Sequence, residues 1–594
     1  MTIYAIDTET NGLNTHAFII GTITTKKKKE PYTSWDKREL QKKLLEIEEE
    51  HERKNECAYI YAHNMQYDYL VIWGGEEPRE HRQYSSSPFI VDSRGKNGRI
   101  RAKYLSSTSL HRGDLKGMGE IVGIPKLGTP EELKDEKTEK QHPLAYKAYV
   151  ERDAIIVQEY IPLLKRTLAE YGINVRTLLT GSQIGVNNIM RILQKHKTPG
   201  IMRKGHNVWL KKTKYPDKIH EALRGGRIEA RKTGIIQGCT TIDINSHYPA
   251  CLTKIRFPNL LTETYHPKPT KRGWRTDEIL KHIGISRIRI RITKDVEYGV
   301  LLIRINDIDR ALPNTKGQVL IGTWTHEEIQ QAIQEGYEIE EIYWSITWEE
   351  CENPFTEEYK ELYAMKRDAK TRIAKEIAKI LLNGGIGKLA QRREENDWKW
   401  ANIEEHNKLT SGGWEAVEIN GTDRLYKKTL GINYPRYYAP IINALVTAKA
   451  RTTIYEEMKK IKGEIYYIDT DGIVTSDETI KRSTEIKYGK ELGEWKKEKE
   501  NQEANIYGRK TYRIGEEIRM SGVGKNWITK EKFDEGHIEY KRMLTKGLTP
   551  RKEEIGTFKK ETRNLSETRQ KTIEIEQDLK RRTHIIDYVS AKDI

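Results

Sequence analysis

Two carboxylates are predicted at the tip of a β-hairpin in the second half of the chain. Apolar and β-branched residues precede and follow Asp469-Thr470-Asp471-Gly472, a pattern typical of two strands joined by a tight turn. Asp469 and Asp471 are two residues apart, so their side chains point the same way on an extended chain. A divalent cation that prefers hard oxygen ligands, Mg²⁺, would offset their repulsion. An ordinary Asp-Gly turn is the alternative.

Another set of carboxylates occurs in the first third of the chain. Asp7 and Glu9 follow a short apolar strand, and Asp68 follows a second one. Tyr149 and Asp153 are four residues apart on a predicted helix, so they share a face. Carboxylates from two strand ends and a helix are able to hold two metal ions for phosphodiester hydrolysis, with the tyrosine orienting the attacking water. Four unrelated surface acids are the alternative.

A basic helical face is predicted within the segment 366–385, which also carries an apolar stripe at helical spacing. Three cations and one amide share this face because they recur about once per turn. A row of this kind suits the phosphates of a nucleoside triphosphate, and a solvated basic surface is the alternative. The face consists of Arg372, Lys375, Lys379 and Asn383.

Composition predicts a large, soluble protein with a polyanionic partner. The 594 residues exceed a single core, and 104 Lys+Arg against 88 Asp+Glu give a net charge of +16. The four cysteines lack C-x-x-C spacing, so neither a disulfide framework nor a zinc site is predicted. No apolar run approaches the ~18–20 residues of a membrane span, and no signal peptide is evident. We therefore expect a soluble intracellular protein without a membrane partner.

The order of these motifs resembles that of the family B DNA polymerases. D-x-E at Asp7, N-x-x-x-D ending at Asp68 and Y-x-x-x-D ending at Asp153 resemble the three motifs of the family's 3′–5′ exonuclease domain. Further matches, which resemble the polymerase motifs, follow in the family's order: Gly225-Gly226, a strand ending at Asp243 before Tyr248-Pro249, Lys379-x-x-x-Asn383, Asp469-Thr470-Asp471, and Lys510-x-Tyr512.

The resemblance implies a multidomain α/β (α+β) chain. An RNase H-like 3′–5′ exonuclease domain would precede a right-hand polymerase of palm, fingers and thumb that carries two insertions. The implied boundaries are 1–175 for the exonuclease domain, 176–255 for the N-terminal part of the palm, 256–358 for the first insertion, 359–390 for the fingers, 391–432 for the second insertion, 433–532 for the C-terminal part of the palm and 533–594 for the thumb.

The resemblance also implies a role for each residue, with two Mg²⁺ ions per active site and Mn²⁺ as a substitute. The first acidic cluster (Asp7, Glu9, Asp68 and Asp153) would hold the exonuclease metals, with Tyr149 beside them. The second acidic cluster (Asp243, Asp469 and Asp471) would serve nucleotidyl transfer, with Asp243 and Asp471 as the direct ligands. Implied nucleotide contacts are Tyr248, Arg372, Lys375, Lys379 and Asn383. Implied DNA contacts are Asn64, Tyr67, Lys126, Arg224, Gly225, Gly226, Lys510, Tyr512 and Lys525.

Two long intervals indicate a branch of the family. Residues 256–358 and 391–432 are too long for plain connections, and insertions at both positions resemble the protein-primed branch. There the first insertion docks a terminal protein, and the second gives processivity and strand displacement. We therefore expect a monomer that acts on primer-template DNA and dNTPs with a terminal protein. It would replicate a linear viral or plasmid genome, and we expect it to be encoded by a virus and to act in the host cytoplasm.

Five positions depart from the family pattern, and three other functions stay open. The alternatives are a primer-independent family B polymerase, an exonuclease with a decayed polymerase site, and a non-enzymatic DNA-binding replication factor. The departures are Leu223, His247, Gly384, Ile386 and Gly472, which stand where the family has tyrosine, leucine, serine, tyrosine and serine.

Overall fold

A computed structural model describes residues 2–11, 17–28, 30–74, 78, 80–86, 89–111, 113–128, 143–175, 177–205, 207–268, 276–305, 309–420, 423–523, 528–543 and 558–586. The chain forms two compact units. The first comprises Met1–Ile184, Met365–Leu381 and Lys541–Lys560, and the second comprises Gly185–Ala364, Leu382–Tyr540 and Glu561–Ile594.

The strands, in chain order, are β1 (Thr2–Asn11), β2 (Ala17–Thr24), β3 (Tyr32–Ser34), β4 (Ala58–Ala62), β5 (His81–Ser86), β6 (Phe89–Arg94), β7 (Ile100–Ser106), β8 (Ile201–Lys204), β9 (Asn207–Leu210), β10 (Ile228–Ala230), β11 (Gly234–Ile244), β12 (Phe257–Pro258), β13 (Thr264–His266), β14 (Ile283–Ile292), β15 (Ile303–Arg304), β16 (Arg310–Ala311), β17 (Val319–Thr325), β18 (Tyr337–Trp348), β19 (Glu350–Cys351), β20 (Arg393–Asn402), β21 (Glu415–Asn420), β22 (Asp423–Asn433), β23 (Ile465–Asp469), β24 (Gly472–Ser476), β25 (Trp495–Gly508), β26 (Thr511–Ile514), β27 (Glu517–Met520), β28 (His537–Met543), β29 (Phe558–Asn564) and β30 (His584–Ile586).

The α-helices are α1 (Lys37–Arg53), α2 (Met65–Trp73), α3 (Leu115–Val122), α4 (Pro143–Glu170), α5 (Gly181–Lys195), α6 (Pro216–Glu221), α7 (His247–Lys254), α8 (Thr276–Ile279), α9 (His326–Gln334), α10 (Thr356–Arg367), α11 (Arg372–Asn383), α12 (His406–Ser411), α13 (Pro440–Lys459), α14 (Asp477–Arg482), α15 (Lys530–Glu535) and α16 (Leu565–Arg581).

The first unit contains a seven-stranded sheet in the order β3-β2-β1-β4-β7-β6-β5. β4 is parallel to both β1 and β7 and is buried along its whole length, as expected of a central parallel strand. Leu40 and Leu44 of α1 and Ile72 of α2 lie in the core of this sheet. β4 ends at Ala62, whereas β1, which runs parallel to it, continues to Asn11. Asp7 and Glu9 therefore lie on the part of β1 that extends beyond β4, close to the start of α2.

The second unit contains a seven-stranded sheet in the order β10-β23-β24-β11-β25-β26-β27. β23 and β24 form the predicted hairpin, with Asp469 opposite Gly472. Asp243 of β11 stands opposite Gly472 in β24 and opposite Lys496 in β25. The antiparallel register therefore brings the three carboxylates of the second acidic cluster to one end of the sheet.

The two segments for which insertions are predicted each carry a sheet of their own. Within 256–358, β14 alternates buried isoleucines with half-buried arginines, the pattern of a strand with one covered face. Its sheet has the order β13-β18-β14-β17-β30, so the last strand comes from near residue 585. β20, β22 and β21 form a three-stranded sheet in the second segment. The sequence indicated a strand within 587–594, which lies outside the described residues.

Two local predictions were wrong. The helical pattern over 366–385 is interrupted after α10, and α11 starts anew because the Thr371 hydroxyl accepts a hydrogen bond from the N–H of Ala374 at 3.3 Å. The strand expected at 509–512 begins only at Thr511. Arg509 and Lys510 form the turn between β25 and β26, where Lys510 has a φ of +55°. Within the described ranges, no helix has the length and apolarity to cross a bilayer.

Candidate active sites

The first acidic cluster gathers at the carboxyl edge of the β1–β4 pair. Asp7, Glu9 and Asp153 each present one carboxylate oxygen within 4.8 Å of the others, the only such group of three in the described part of the chain. Asp68 lies beside them in the first turn of α2, where it accepts a hydrogen bond from the Thr8 hydroxyl at 2.9 Å. The structure therefore brings the four predicted carboxylates together.

Burial and mutual repulsion dominate the electrostatics of this cluster. Burial, followed by the charges of neighbouring carboxylates, raises the pKa of Asp7 well above its usual range and that of Glu9 to about 7. Burial also raises the pKa of Asp68 to about 7 and that of Asp153 above its ordinary value. Lys126 offsets part of the repulsion because its ammonium group donates to Asp153. Like charges at this spacing require a cation or a proton.

Two carboxylate oxygens of this cluster accept no hydrogen bond from the described residues. Oδ2 of Asp7 and Oδ1 of Asp153 are buried and lack a hydrogen-bond partner among the described residues, although buried polar atoms are normally paired. A hard divalent cation accepts oxygen ligands of this kind. The donor set therefore fits Mg²⁺ or Mn²⁺, with Asp7, Glu9 and Asp153 as the first ligands and Asp68 adjacent.

The remaining residues predicted for this site surround the carboxylates. Tyr149 is one turn before Asp153 on α4 and is 7% exposed. The Lys126 ammonium nitrogen lies 4.3 Å from the centre of its ring. Tyr67, with its pKa raised to about 12 by burial, lies with its hydroxyl 2.5 Å from that of Thr10. Asn64 is exposed immediately before α2, and it makes no capping hydrogen bond.

Main-chain hydrogen bonds fix the hairpin tip of the second acidic cluster. Thr470 has a φ of +64°, and its N–H donates to the carbonyl of Arg227 at 2.7 Å. The N–H of Asp471 donates to the Asp469 carbonyl at 2.6 Å, and the Asp471 carbonyl accepts from Ile244 at 2.8 Å. These contacts explain how the tip is braced without a serine at position 472.

Two lysines neutralise charge in the second acidic cluster. The ammonium nitrogen of Lys496 lies 3.1 Å from Oδ2 of Asp243. Lys510 donates to Oδ1 of Asp469, whose Oδ2 accepts from the Tyr512 hydroxyl at 3.3 Å. Burial, then Asp243 and Asp469, raises the pKa of Asp471 to about 7. Sequence reasoning missed Lys496, because no motif or spacing in the sequence indicates that its strand pairs with β11 beside Asp243.

Of the paired glycines, Gly226 packs against the hairpin tip and Gly225 does not. A Cβ on Gly226 would lie 2.5 Å from the Thr470 side chain, so only glycine fits there. Gly225 is exposed, and a Cβ added to it would have no neighbouring atom within 4 Å. The prediction that the Arg224 side chain contacts DNA is corrected: it is 3% exposed, and its guanidinium donates to the carbonyls of Glu221 and Thr323. These contacts indicate that Arg224 stabilises the fold and does not contact DNA.

His247, which follows β11 and stands where the family has leucine, also has a structural explanation. His247 is buried, and its Nδ1 lies 3.2 Å from the carbonyl of Thr470, so this side chain also contacts the hairpin tip. Burial lowers the pKa of His247 to about 4. Tyr248 is half-buried in the first turn of α7, and burial raises its pKa to about 12. A cleft of about 650 Å³ is lined by Tyr248, the three carboxylates, Lys510 and Tyr512.

The predicted basic face is present on α11. Arg372, Lys375, Lys379 and Asn383 are all exposed, opposite a stripe that includes the buried Ile377 and Leu381. The Arg372 guanidinium is engaged by Glu120 of the same compact unit. Nucleotide binding by this face stays a prediction.

Close backbone packing requires glycine at position 185, which lies against Gly384 and Gly385. A Cβ on Gly185 of α5 would lie 2.5 Å from the nitrogen of Gly385 and 2.6 Å from the carbonyl carbon of Gly384. The residue that replaces the family's tyrosine, Ile386, is 5% exposed. Lys525, expected to contact DNA, lies outside the described residues.

Comparison with known proteins finds one matching family and several solved structures of similar fold. The family of type B DNA polymerases, organellar and viral, matches residues 128–435. Phi29 DNA polymerase with primer-template DNA and incoming nucleotides shares 16% identity at a TM-score of 0.68, over 95% of this chain and 100% of that one. The structure of phi29 DNA polymerase with primer-template DNA alone shares 16% identity with this chain at a TM-score of 0.67, again over 95% of this chain and 100% of that one. These likenesses show the fold. No curated protein matches in sequence.

Proposed function

Because the chain belongs to the type B DNA polymerases of organelles and viruses, we propose that it combines DNA synthesis at the second acidic cluster with 3′–5′ proofreading at the first. The observation that carries this proposal is the presence of two separate sets of buried or half-buried carboxylates, each beside a lysine and a tyrosine. One hydrolytic site and one transfer site account for both sets. A decayed polymerase site would not keep Asp243, Asp469 and Asp471 at one end of a sheet.

In synthesis, the primer 3′-oxygen bonds to the α-phosphorus of a dNTP, and the bond to pyrophosphate breaks. Asp243 and Asp471 would hold the two Mg²⁺ ions, which when bound acidify the 3′-hydroxyl and stabilise the leaving group. Lys510 and Tyr512 fix the carboxylate of Asp469 and so the hairpin tip. Tyr248 supports the sugar of the incoming nucleotide, and the cations of α11 neutralise its phosphates.

In proofreading, water attacks the terminal phosphodiester of a single-stranded 3′ end, and a deoxynucleoside monophosphate leaves. Asp7, Glu9, Asp68 and Asp153 would hold the metal ions at this site. Tyr149 orients the attacking water, while Lys126 keeps Asp153 in place and adds positive charge near the scissile phosphate. Asn64 and Tyr67, at the start of α2, contact the 3′ end.

Two further sheets, formed mainly by residues of 256–358 and 391–432, support a finer proposal. We assign the first to docking of a terminal protein that supplies the priming hydroxyl, and the second to processive, strand-displacing synthesis. The enzyme acts as a monomer on a linear viral or plasmid genome, in the cytoplasm of the host cell. A covalent protein–dNMP adduct that copurifies with the enzyme would support protein priming. Unaided initiation on circular single strands would instead identify a primer-independent polymerase.

Two substitutions on a primed template test the assignment of activities. Asp471→Ala should abolish extension and leave degradation of the primer, because it removes a ligand from the second acidic cluster alone. Asp7→Ala should abolish degradation and leave extension. Circular dichroism and thermal melting would confirm that both variants are folded. If either folded variant lost both activities, the two-site assignment would be wrong.

A further inference from the structure

A two-stranded ribbon, β8–β9, lies outside both acidic clusters. Met202 pairs with Trp209 and Lys204 with Asn207 across the ribbon. Its base is anchored because Leu210 is buried and donates its N–H to the carbonyl of Arg436 at 2.7 Å. Arg436 comes three residues after the end of β22, so the ribbon adjoins the base of the sheet in the second predicted insertion.

The ribbon stands in a stretch of uniform charge. Residues 191–214 contain eight cations and no acidic side chain. Seven of the eight are exposed and Arg191 is half-buried. The cations are Arg191, Lys195, Lys197, Arg203, Lys204, Lys211, Lys212 and Lys214.

Among the described residues, most of these cations form no ion pair. Arg191 and Lys195 share the carboxylate of Glu358. Across the parts of the chain that the structure describes, no carboxylate forms an ion pair with Lys197, Lys204, Lys211 or Lys212. A concentrated field of one sign attracts a polyanion.

One face of the ribbon also presents apolar side chains to solvent. Directly opposed residues and residues two apart share a face in an antiparallel pair, so Met202 and Trp209 lie on the same side as Lys204 and Asn207. Met202 is 37% exposed, and Trp209 is half-buried. The indole is therefore partly accessible, and cations flank it. Nucleic-acid bases stack on such surfaces only when they are unpaired, and this stacking tolerates any base sequence.

We propose that the β8–β9 ribbon and its flanking lysines form a binding surface for single-stranded DNA that is separate from both active sites. Lys204, Lys211 and Lys212 contact successive phosphates, and the indole of Trp209 stacks against an unpaired base. Binding requires no base-specific contact. The strand is either the template that has not yet been copied or the strand that synthesis displaces, and both present the same chemistry. The choice of DNA as the polyanion rests on membership of the polymerase family, whereas the surface itself does not depend on either catalytic assignment.

Binding of a fluorescent oligo-dT in chelator, where no catalysis occurs, tests the surface. Lys204→Ala/Lys211→Ala/Lys212→Ala should reduce affinity, and the slope of log Kd against log salt should fall by about 2, because each phosphate contact on a single strand contributes about 0.7. Trp209→Ala should weaken binding about 5- to 150-fold without changing that slope. Lys26→Ala/Lys27→Ala/Lys28→Ala removes the same charge from exposed lysines elsewhere and should leave the slope unchanged.

A second assay distinguishes failure of the proposed binding surface from failure of the polymerase assignment. Addition of one nucleotide to a primer with a short template overhang should be unchanged in the ribbon variants, and it reports the polymerase site independently. Loss of synthesis confined to templates with a downstream duplex would identify the displaced strand, and loss on long open templates would identify the uncopied template. Salt slopes equal to those of the Lys26–Lys28 control, or equal losses for duplex DNA with no effect of Trp209→Ala, would overturn the proposal.

Discussion

Among the described residues, four carboxylates share one lysine in the first acidic cluster, whereas three carboxylates share two lysines in the second. Buried oxygens of Asp7 and Asp153 lack a donor, while Asp243 and Asp469 each contact an ammonium group. The first cluster therefore depends on bound cations or protons to relieve its repulsion. The second carries part of its counter-charge in its own side chains.

The two clusters also differ in what positions them. Strand β1 and helices α2 and α4 of the first unit hold Asp7, Asp68 and Asp153, so several independent elements support that site. The tip of a single hairpin holds Asp469 and Asp471, and that tip rests on Gly226. We expect the second cluster to be sensitive to small backbone changes and the first to be sensitive to metal and pH.

The largest effect should follow from Gly226→Ala. Its Cβ would lie 2.5 Å from the Thr470 side chain, and displacement of the tip by about 1 Å should reduce primer extension about 100-fold. Exonuclease activity should not change. Because Thr470 has a φ of +64°, a conformation that glycine adopts readily, adding Thr470→Gly should restore part of the extension. No loss of extension in the single variant would show that the tip is not held by this contact.

A smaller effect is expected for Lys510→Ala. This change removes the ammonium group from Asp469, and a charge-assisted hydrogen bond at a half-exposed position is worth roughly tenfold in kcat/KM for extension. Steady-state extension kinetics on a primed template would measure the loss. Degradation of single-stranded DNA is the internal control. Equal losses of both activities would mean that the variant is impaired in folding or in general DNA binding.

The metal-free protein should lose stability as the pH rises from about 4 to 7. Folded-state pKa values raised to about 7 at Glu9, Asp68 and Asp471 mean that the folded protein retains protons that the unfolded chain releases. This contribution is fully present below the unfolded pKa values and is lost as pH rises through the folded ones. The melting temperature in chelator should therefore fall by about a few degrees over this pH interval.

Mn²⁺ or Mg²⁺ should reverse this loss, and the stabilisation by metal should grow over the same pH interval. Asp7→Asn is the matched control, because removing one charge from the first acidic cluster should reduce both the loss and its reversal. If melting temperatures in chelator rose with pH, the assignment of raised pKa values would be contradicted.

The smallest effect is expected for Gly472→Ser, which restores the residue typical of the family. A Cβ there would meet its nearest neighbour at 3.6 Å, an ordinary contact, so extension rates should stay within about twofold of the parent. A loss of tenfold or more would show that the tip needs glycine.

Features that depend on local pattern could be predicted from the sequence, and features that depend on distant pairing could not. The hairpin at 465–476 and the helix that carries Tyr149 and Asp153 follow from alternation and periodicity over a few residues. Lys496 contacts Asp243 only because β25 pairs with β11 in one register, and nothing local specifies that register. Similarly, a basic residue beside two glycines gave no sign that Arg224 is buried with its guanidinium over the ring of Trp324.

The pairing of β30 with β17 has a consequence for the order of folding. Val319 pairs with His584, and Ile585 is buried in the same core as Leu320 and Trp324. A ribosome completes β17 long before it reaches β30, so during synthesis this sheet keeps an open edge. An unpaired edge strand is a template for association with other chains. Truncation before residue 583 should therefore be revealed first by aggregation of the nascent protein, before any change in catalysis is measured.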